Sequence, residues 1–246
     1  MKRVAVFGDV HGALDELKEL YCMLEHESLD EVRHSGDLID RGPDSAGVVD
    51  FCFMHGIQGV IGNHEGGFIE HHLNKNSPPG SGDKLNTWNQ LQTLSNDRLD
   101  WLKSLPHLHI DDKVSTVFVH GGVYPGVDWH LQPVQGVCHM ALIHPEFPPD
   151  RMFCKTKWYG IDKKGVSEDE WRAQGWKRWY ELYDHEYTVV FGHATFSDGL
   201  LLHSSKLGGM CIGVDTGAHW TGQLTAVILP DLKVIHTKRK RNPSHP

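Results

Sequence analysis

Six residues with oxygen or imidazole donors stand beside or near glycine along the sequence: Asp9, His11, Asp37, Asn63, His120 and His193. None is a thiolate, and such hard and borderline donors suit divalent Mn, Fe or Zn rather than a soft copper site. Successive motifs are 28, 26, 57 and 73 residues apart, too far for a zinc finger or an EF-hand loop. They fit a centre assembled from distant loops. With Asp37 able to bridge, the set divides into two metals ~3.5–4 Å apart, the spacing of two-metal hydrolytic centres. Asp40, Arg41 and His64 share those loops and are expected in the same volume, where Arg41 adds a phosphate clamp. Taken singly, Asp9 or Asn63 reads as a helix N-cap and His120 or His193 as a core histidine. The joint pattern points to metal.

The elements that position these residues follow from the hydropathy pattern. The loops at 8–12, 36–42 and 62–65 each follow an apolar run and precede a helical pattern. Strands over 2–7, 32–35 and 57–61 alternate with helices over 13–26, 44–55 and 65–74, which predicts βαβ units in a parallel sheet. Ligands of such sheets bind outside the carboxyl ends of the strands, where the loops lie. After a Pro- and Gly-containing loop at 76–83, residues 84–104 read as one helix, an insert (about 84–105) covering one side of the sheet. The second half predicts a hairpin over 107–110 and 113–119 that ends at His120-Gly121-Gly122. Strands over 188–191 and 210–214 end at Gly192-His193 and Asp215-Thr216-Gly217, and a hairpin over 223–229 and 232–237 closes the chain. Residues 123–165 are irregular and candidate substrate loops. Residues 167–181 predict a helix capped by Ser167 and Glu170. The fold class is α/β: two mixed β-sheets packed as a sandwich with flanking helices, in a single domain over 1–246.

Composition narrows the function classes. The net charge of −8 argues against a stable nucleic-acid partner bound through phosphate neutralisation. The basic tail at 238–246 reads as a solvated terminus. No apolar run approaches the ~20 residues of a membrane span, so no membrane association is expected. The first strand begins at once, so no signal peptide is expected. Five scattered cysteines without a CxxC pair indicate free thiols and a cytoplasmic location.

GDVHG, GDLIDRG, GNHE, HGG, GH and DTG, in that order over residues 8–217, resemble the calcineurin-like metallophosphoesterases. More narrowly they resemble the branch shared by Ser/Thr protein phosphatases and symmetrical diadenosine tetraphosphatases. The resemblance implies two divalent metal ions, Mn first and Fe or Zn as alternatives, and a metal-activated water as nucleophile without a covalent intermediate. Asp9, His11 and Asp37 would hold one ion, and Asp37, Asn63, His120 and His193 the other. His64 would be the general acid, with Asp40 orienting its ring and holding it protonated, and Arg41 would bind phosphoryl oxygens.

Two further stretches bear on the substrate, a small nucleotide or a phosphoprotein. His120-Gly121-Gly122-Val123-Tyr124-Pro125 with Asp128-Trp129 resembles the HAG-x-x-P-x-WDL stretch of the tetraphosphatases. Arg151-Met152-Phe153-Cys154 resembles their RMRFC-type segment and would make Arg151 a second phosphate clamp, with Lys155 or Lys157 as alternatives. Tyr124, Trp129 or Trp220 would then stack on a base. The chain length and the short insert also resemble compact bacterial and bacteriophage protein phosphatases. The favoured expectation is symmetrical dinucleoside polyphosphate hydrolysis; the alternatives are a Ser/Thr or Tyr phosphomonoesterase and a scaffold without catalysis. Intact His64, Asp40 and Arg41 speak against the last.

Overall fold

The apolar run Val4–Phe7 is buried on both faces because it is the central strand of a five-stranded sheet. The computed structural model describes residues 1–146, 153–154, 167–196 and 199–240. Strands β1 (Val4–Phe7), β2 (Glu31–His34) and β3 (Gln58–Gly59) run parallel, joined by helices α1 (Leu14–Leu24) and α2 (Ser45–Met54). These are the βαβ units expected. Asp44 caps α2 by accepting the Gly47 amide at 2.7 Å. Strands β4 (Leu108–Asp111) and β5 (Thr116–Val119) form the expected hairpin, with Leu108 opposite Val119. A small sheet follows, ordered β7-β6-β8, of β6 (Leu142–Ile143), β7 (Phe153–Cys154) and β8 (Lys177–Arg178).

Strand β9 (Thr188–Phe191) runs parallel to β5, β10 (Leu201–Ser204) lies at the sheet edge, and β11 (Met210–Gly213) runs parallel to β9. The second sheet is therefore mixed, ordered β10-β11-β9-β5-β4. The hairpin of β12 (Thr225–Leu229) and β13 (Lys233–His236) returns to the first sheet, where β12 pairs antiparallel with β1. Alternation along β1 divides its side chains between two layers. Val4 and Val6 meet Phe118, Val190, Ile212 and Val227 between the sheets. Ala5 and Phe7 face the helical layer with Leu17, Leu20, Val48 and Val49. Full burial of each such Val, Leu or Phe contributes ~1.5–3 kcal/mol.

Two expected helices are shorter than predicted. The insert is two helices, Gly82–Leu91 and Asn96–Ser104. Between them Thr93 turns its hydroxyl back to the Gln90 carbonyl (2.7 Å), the competition with the backbone that hydroxyl side chains offer. The helix expected over 167–181 keeps its capping box but ends at Ala173, where Gly175 at φ +93° takes a left-handed conformation. The helix expected over 65–74 starts earlier, at Asn63–Phe68, and continues as a π-turn over Ile69–Leu73. The basic tail is tied down at Lys240, whose Nζ lies 3.0 Å from Glu19 and 3.4 Å from Glu16 on α1. No helix among the described residues is long and apolar enough to cross a membrane.

Candidate metal centre

Each candidate ligand follows the carboxyl end of a strand: Asp9 and His11 after β1, Asp37 after β2, Asn63 after β3, His120 after β5 and His193 after β9. The first two loops are zipped together by backbone. Val10 N and His11 N both donate to the Asp37 carbonyl (3.0 and 2.9 Å), and Gly12 N donates to that of Leu38 (2.8 Å). His11, Asp37, Asp40, Arg41 and His193 all take positive φ, between +49° and +75°. Such conformations cost on the order of 1–3 kcal/mol each and persist where surrounding structure over-determines them. Glycine answers a different need at position 192, where a Cβ would run into Asp9 Oδ1 and Ser35 Oγ.

Asp37 is the hub. It is fully buried, and its Oδ1 accepts the His64 amide at 2.9 Å. Its Oδ2 faces three imidazoles: His120 Nε2 at 3.3 Å, His11 Nε2 at 3.5 Å and His64 Nε2 at 4.0 Å. Burial alone would raise its pKa, but His120 and His64 outweigh that and hold it well below the usual carboxylate range. Burial works against a charged His120 as well, yet Asp37 and Asp9 push its pKa up to about 10. Asp9 moves the other way, raised by burial and by Asp215. Burial and then His120 depress His193 to about 3.

Hydrogen bonds and ion pairs join all six expected ligands. His120 donates from Nδ1 to the Ser35 carbonyl (2.8 Å), which aims Nε2 at Asn63 Oδ1 (2.9 Å). His193 Nδ1 reaches the same Oδ1 at 2.8 Å, and the His193 amide donates to both Asp9 oxygens at 3.2 Å. Two groups have ligand atoms within 4.8 Å of one another, His11 with Asp37 and His64, and Asp37 with His120 and His193. Asp37 belongs to both. Buried carboxylates that draw charge from an imidazolium, in a set of oxygen and nitrogen donors, fit divalent cations well. One difference stands out: His64 occupies the first group where Asp9 was expected.

Beside the hub, His64 donates from Nδ1 to Asp40 Oδ2 (2.8 Å) and accepts at Nε2 from Arg41 Nη2 (2.8 Å). Arginine has no acceptor, so this arrangement sets the neutral Nδ1–H tautomer. Asp40 is braced by the Ser45 hydroxyl at its amide (3.0 Å) and by Thr87 of the insert at its carboxylate (3.5 Å). The insert thus supports the site and does not merely cover the sheet.

Sequence reasoning missed Glu65. Its buried carboxylate accepts three amides, from Asp37 and Gly62 (both 2.9 Å) and Ile39 (3.0 Å), and so fastens the second loop to the third. An acidic residue in a helix first turn looks ordinary in sequence; only its distant partners reveal the role. Glu65→Gln would set an amide NH₂ against at least one of those donors. The expected loss is about 2–3 kcal/mol, seen as a fall of about 5–10 °C in melting temperature. Asp215 and His219 were also left without roles. Asp215 is buried beside Asp9 and bonded to Thr195 (2.7 Å), and the His219 ring lies 4.9 Å from that of His11. Tyr124 is buried against Gly136, and Trp129 packs edge-on to His185. Arg151, Lys155 and Lys157 lie outside the described residues.

Two packed mixed sheets that send oxygen and imidazole donors from their strand ends into one buried pocket define the metallophosphoesterase class of hydrolase. The chain belongs to the calcineurin-like phosphoesterase family, whose model matches residues 2–220; its members hydrolyse phosphoric esters or anhydrides with divalent metals. Among its relatives, the symmetrical bis(5'-nucleosyl)-tetraphosphatase of Pectobacterium carotovorum subsp. carotovorum (strain PC1) is 34% identical over 260 residues, covering 89% of this chain and 88% of the relative. The enzyme of the same name from Serratia proteamaculans (strain 568) is 27% identical over 263 residues, with the same coverage. A crystal structure of a proposed diadenosine tetraphosphatase superposes with a TM-score of 0.72 at 27% identity, covering 96% of this chain and 93% of that one.

Proposed function

We propose that this chain, acting as one domain over 1–246, hydrolyses dinucleoside polyphosphates and cuts diadenosine tetraphosphate symmetrically into two ADP. The observation that carries the reading is the Asp40–His64–Arg41 group, with His64 Nε2 4.0 Å from the Asp37 oxygen at the hub of the ligand cluster. The tetraphosphatase relatives, aligned over 89% of the chain, support the substrate class. Asp9, His11, Asp37, Asn63, His120 and His193 would hold two divalent ions, Mn first with Fe or Zn as alternatives. Bound there, such ions lower the pKa of water toward neutrality and offset charge on phosphoryl oxygens.

The chain's own groups do the rest. The Arg41 guanidinium is a planar fork that matches two phosphoryl oxygens, and Arg151 is assigned as a second clamp. Turning to the phosphate takes Arg41 away from His64 Nε2, which is then free to carry a proton. Asp40 keeps the ring aimed through Nδ1. Water oxygen adds to a central phosphorus as one of its protons passes to solvent, the bridging P–O bond breaks, the departing ADP oxygen receives the His64 proton, and His64 is reprotonated from solvent. Each turnover consumes one water and yields two ADP. The free thiols Cys22, Cys52, Cys138 and Cys211 accord with a reducing cytoplasm.

The test is turnover with Mn²⁺ on diadenosine tetraphosphate beside phosphoserine and phosphotyrosine peptides. The expected result is ADP as the sole nucleotide product and a kcat/KM at least ~10²-fold above the peptides, about 2.7 kcal/mol of discrimination. ATP and AMP as products, or faster turnover of a peptide, would overturn the reading.

A further inference from the structure

Two adjacent helical glycines lack the usual reasons for being glycine. Gly66 and Gly67 sit inside the helix Asn63–Phe68, where glycine is the least favourable residue after proline. Neither has a positive φ, and among the described residues a Cβ at either would meet nothing within 4 Å. At nearby Gly62, by contrast, a Cβ would strike Asp37 Oδ1. Gly66 and Gly67 therefore answer neither backbone strain nor crowding by the described residues. Both do line one cleft of about 430 Å³ that begins at Asn63, itself bonded to His120 and His193.

The other walls of that cleft have a definite chemistry. Ile69, Leu105 and Val134 are apolar, and Val134 is half exposed. Lys103 adds a cation, His139 and His107 add imidazoles, the latter with its pKa lowered by burial, and Glu70 adds a carboxylate. The His139 ring lies 6.3 Å from that of His193, so the cleft runs directly on from the ligand cluster. A pocket of a few hundred Å³ has the size of small-molecule sites, and this one sets apolar walls among polar and charged side chains.

We propose that this cleft takes one nucleoside of the substrate, its flat base lying on the bare backbone of Gly66 and Gly67. The adjoining phosphates pass His139 on the way to the metal centre. The inference rests on the dinucleotide reading above and adds the residues that select for it. A side chain at position 66 or 67 would fill the space the base needs, so these glycines trade helix stability for access.

The experiment measures Gly67→Leu, with Gly67→Ala as the graded control, in the Mn²⁺-loaded full chain. Three readouts are taken: melting temperature, KM for diadenosine tetraphosphate relative to KM for 4-nitrophenyl phosphate, and the inhibition constant of ADP. The expected result is a melting temperature unchanged or raised by about 2–4 °C. The KM ratio and the ADP inhibition constant rise together, at least ~10-fold for Leu and less for Ala. An unchanged ratio and inhibition constant, while the parent chain turns over the dinucleotide well, would overturn the cleft assignment alone. A lower melting temperature with equal losses on both substrates would overturn it too, because the glycines would then serve the fold. If the parent chain prefers a phosphopeptide, and the Leu variant raises KM for that peptide, both the dinucleotide reading and this inference fall.

Discussion

Asp37→Asn is expected to leave the chain folded while abolishing tight binding of at least one of two Mn²⁺ ions in a calorimetric titration of the metal-free protein. The substitution keeps the side chain's size, and asparagine tolerates the left-handed backbone at φ +52°. It also keeps an acceptor for the His64 amide. What it removes is charge, at the one atom facing His120, His11 and His64 together. Asp37 is common to both groups of candidate ligands, so one change weakens both. Metal-borne charge stabilisation supplies several kcal/mol of transition-state energy, and kcat/KM should fall by ~10³-fold or more. Two ions bound with parental affinity would show that Asp37 is not the bridge.

His64→Asn is expected to separate chemistry from metal binding. Its effect depends on the leaving group. A phosphoserine ester expels a poor alkoxide and should lose ~10²–10⁴-fold in kcat, the usual worth of a positioned general acid. A 4-nitrophenyl ester, whose leaving oxygen is already a weak base, should lose much less. The metal titration decides between two roles the geometry allows, because His64 Nε2 also stands within ligand distance of His11 and Asp37. Two ions retained with a leaving-group-dependent loss assigns the acid. Loss of one ion, with equal losses on both esters, would make His64 a ligand.

The centre was legible in sequence where a residue's role depends on its immediate neighbours. Asp9, His11, Asp37, Asn63, His120 and His193 each follow a strand, and glycine beside them signals the turn, so each strand end was readable locally while only their joint pattern pointed to metal. Glu65 could not, because two of its three amide partners, Asp37 and Ile39, are supplied by a loop folded over from elsewhere. The parallel course of β5, β9 and β11 was hidden too, since direction depends on long connections with little periodicity. Strand β10 escaped for another reason. It is an edge strand with Leu202 and Ser204 exposed, so it has no buried run to announce it. The break between the insert's helices lay in Thr93 and Ser95, whose preference for turns was outweighed in the reading by flanking leucines.

The place of β1 has a consequence for how the chain is made. β1 is flanked by β2 on one side and β12 on the other, with Val4 opposite Leu229. On the ribosome, the edge that β12 will cover stays open until residues 225–229 emerge, roughly 10–45 s later at ~5–20 residues per second. For that time an apolar strand offers unpaired backbone groups to any extended neighbour. His193 also arrives late, so the six expected ligands are present together only once residue 193 has been made. A centre drawn from both sheets therefore cannot shield the first strand until β9 and the loop after it have been made.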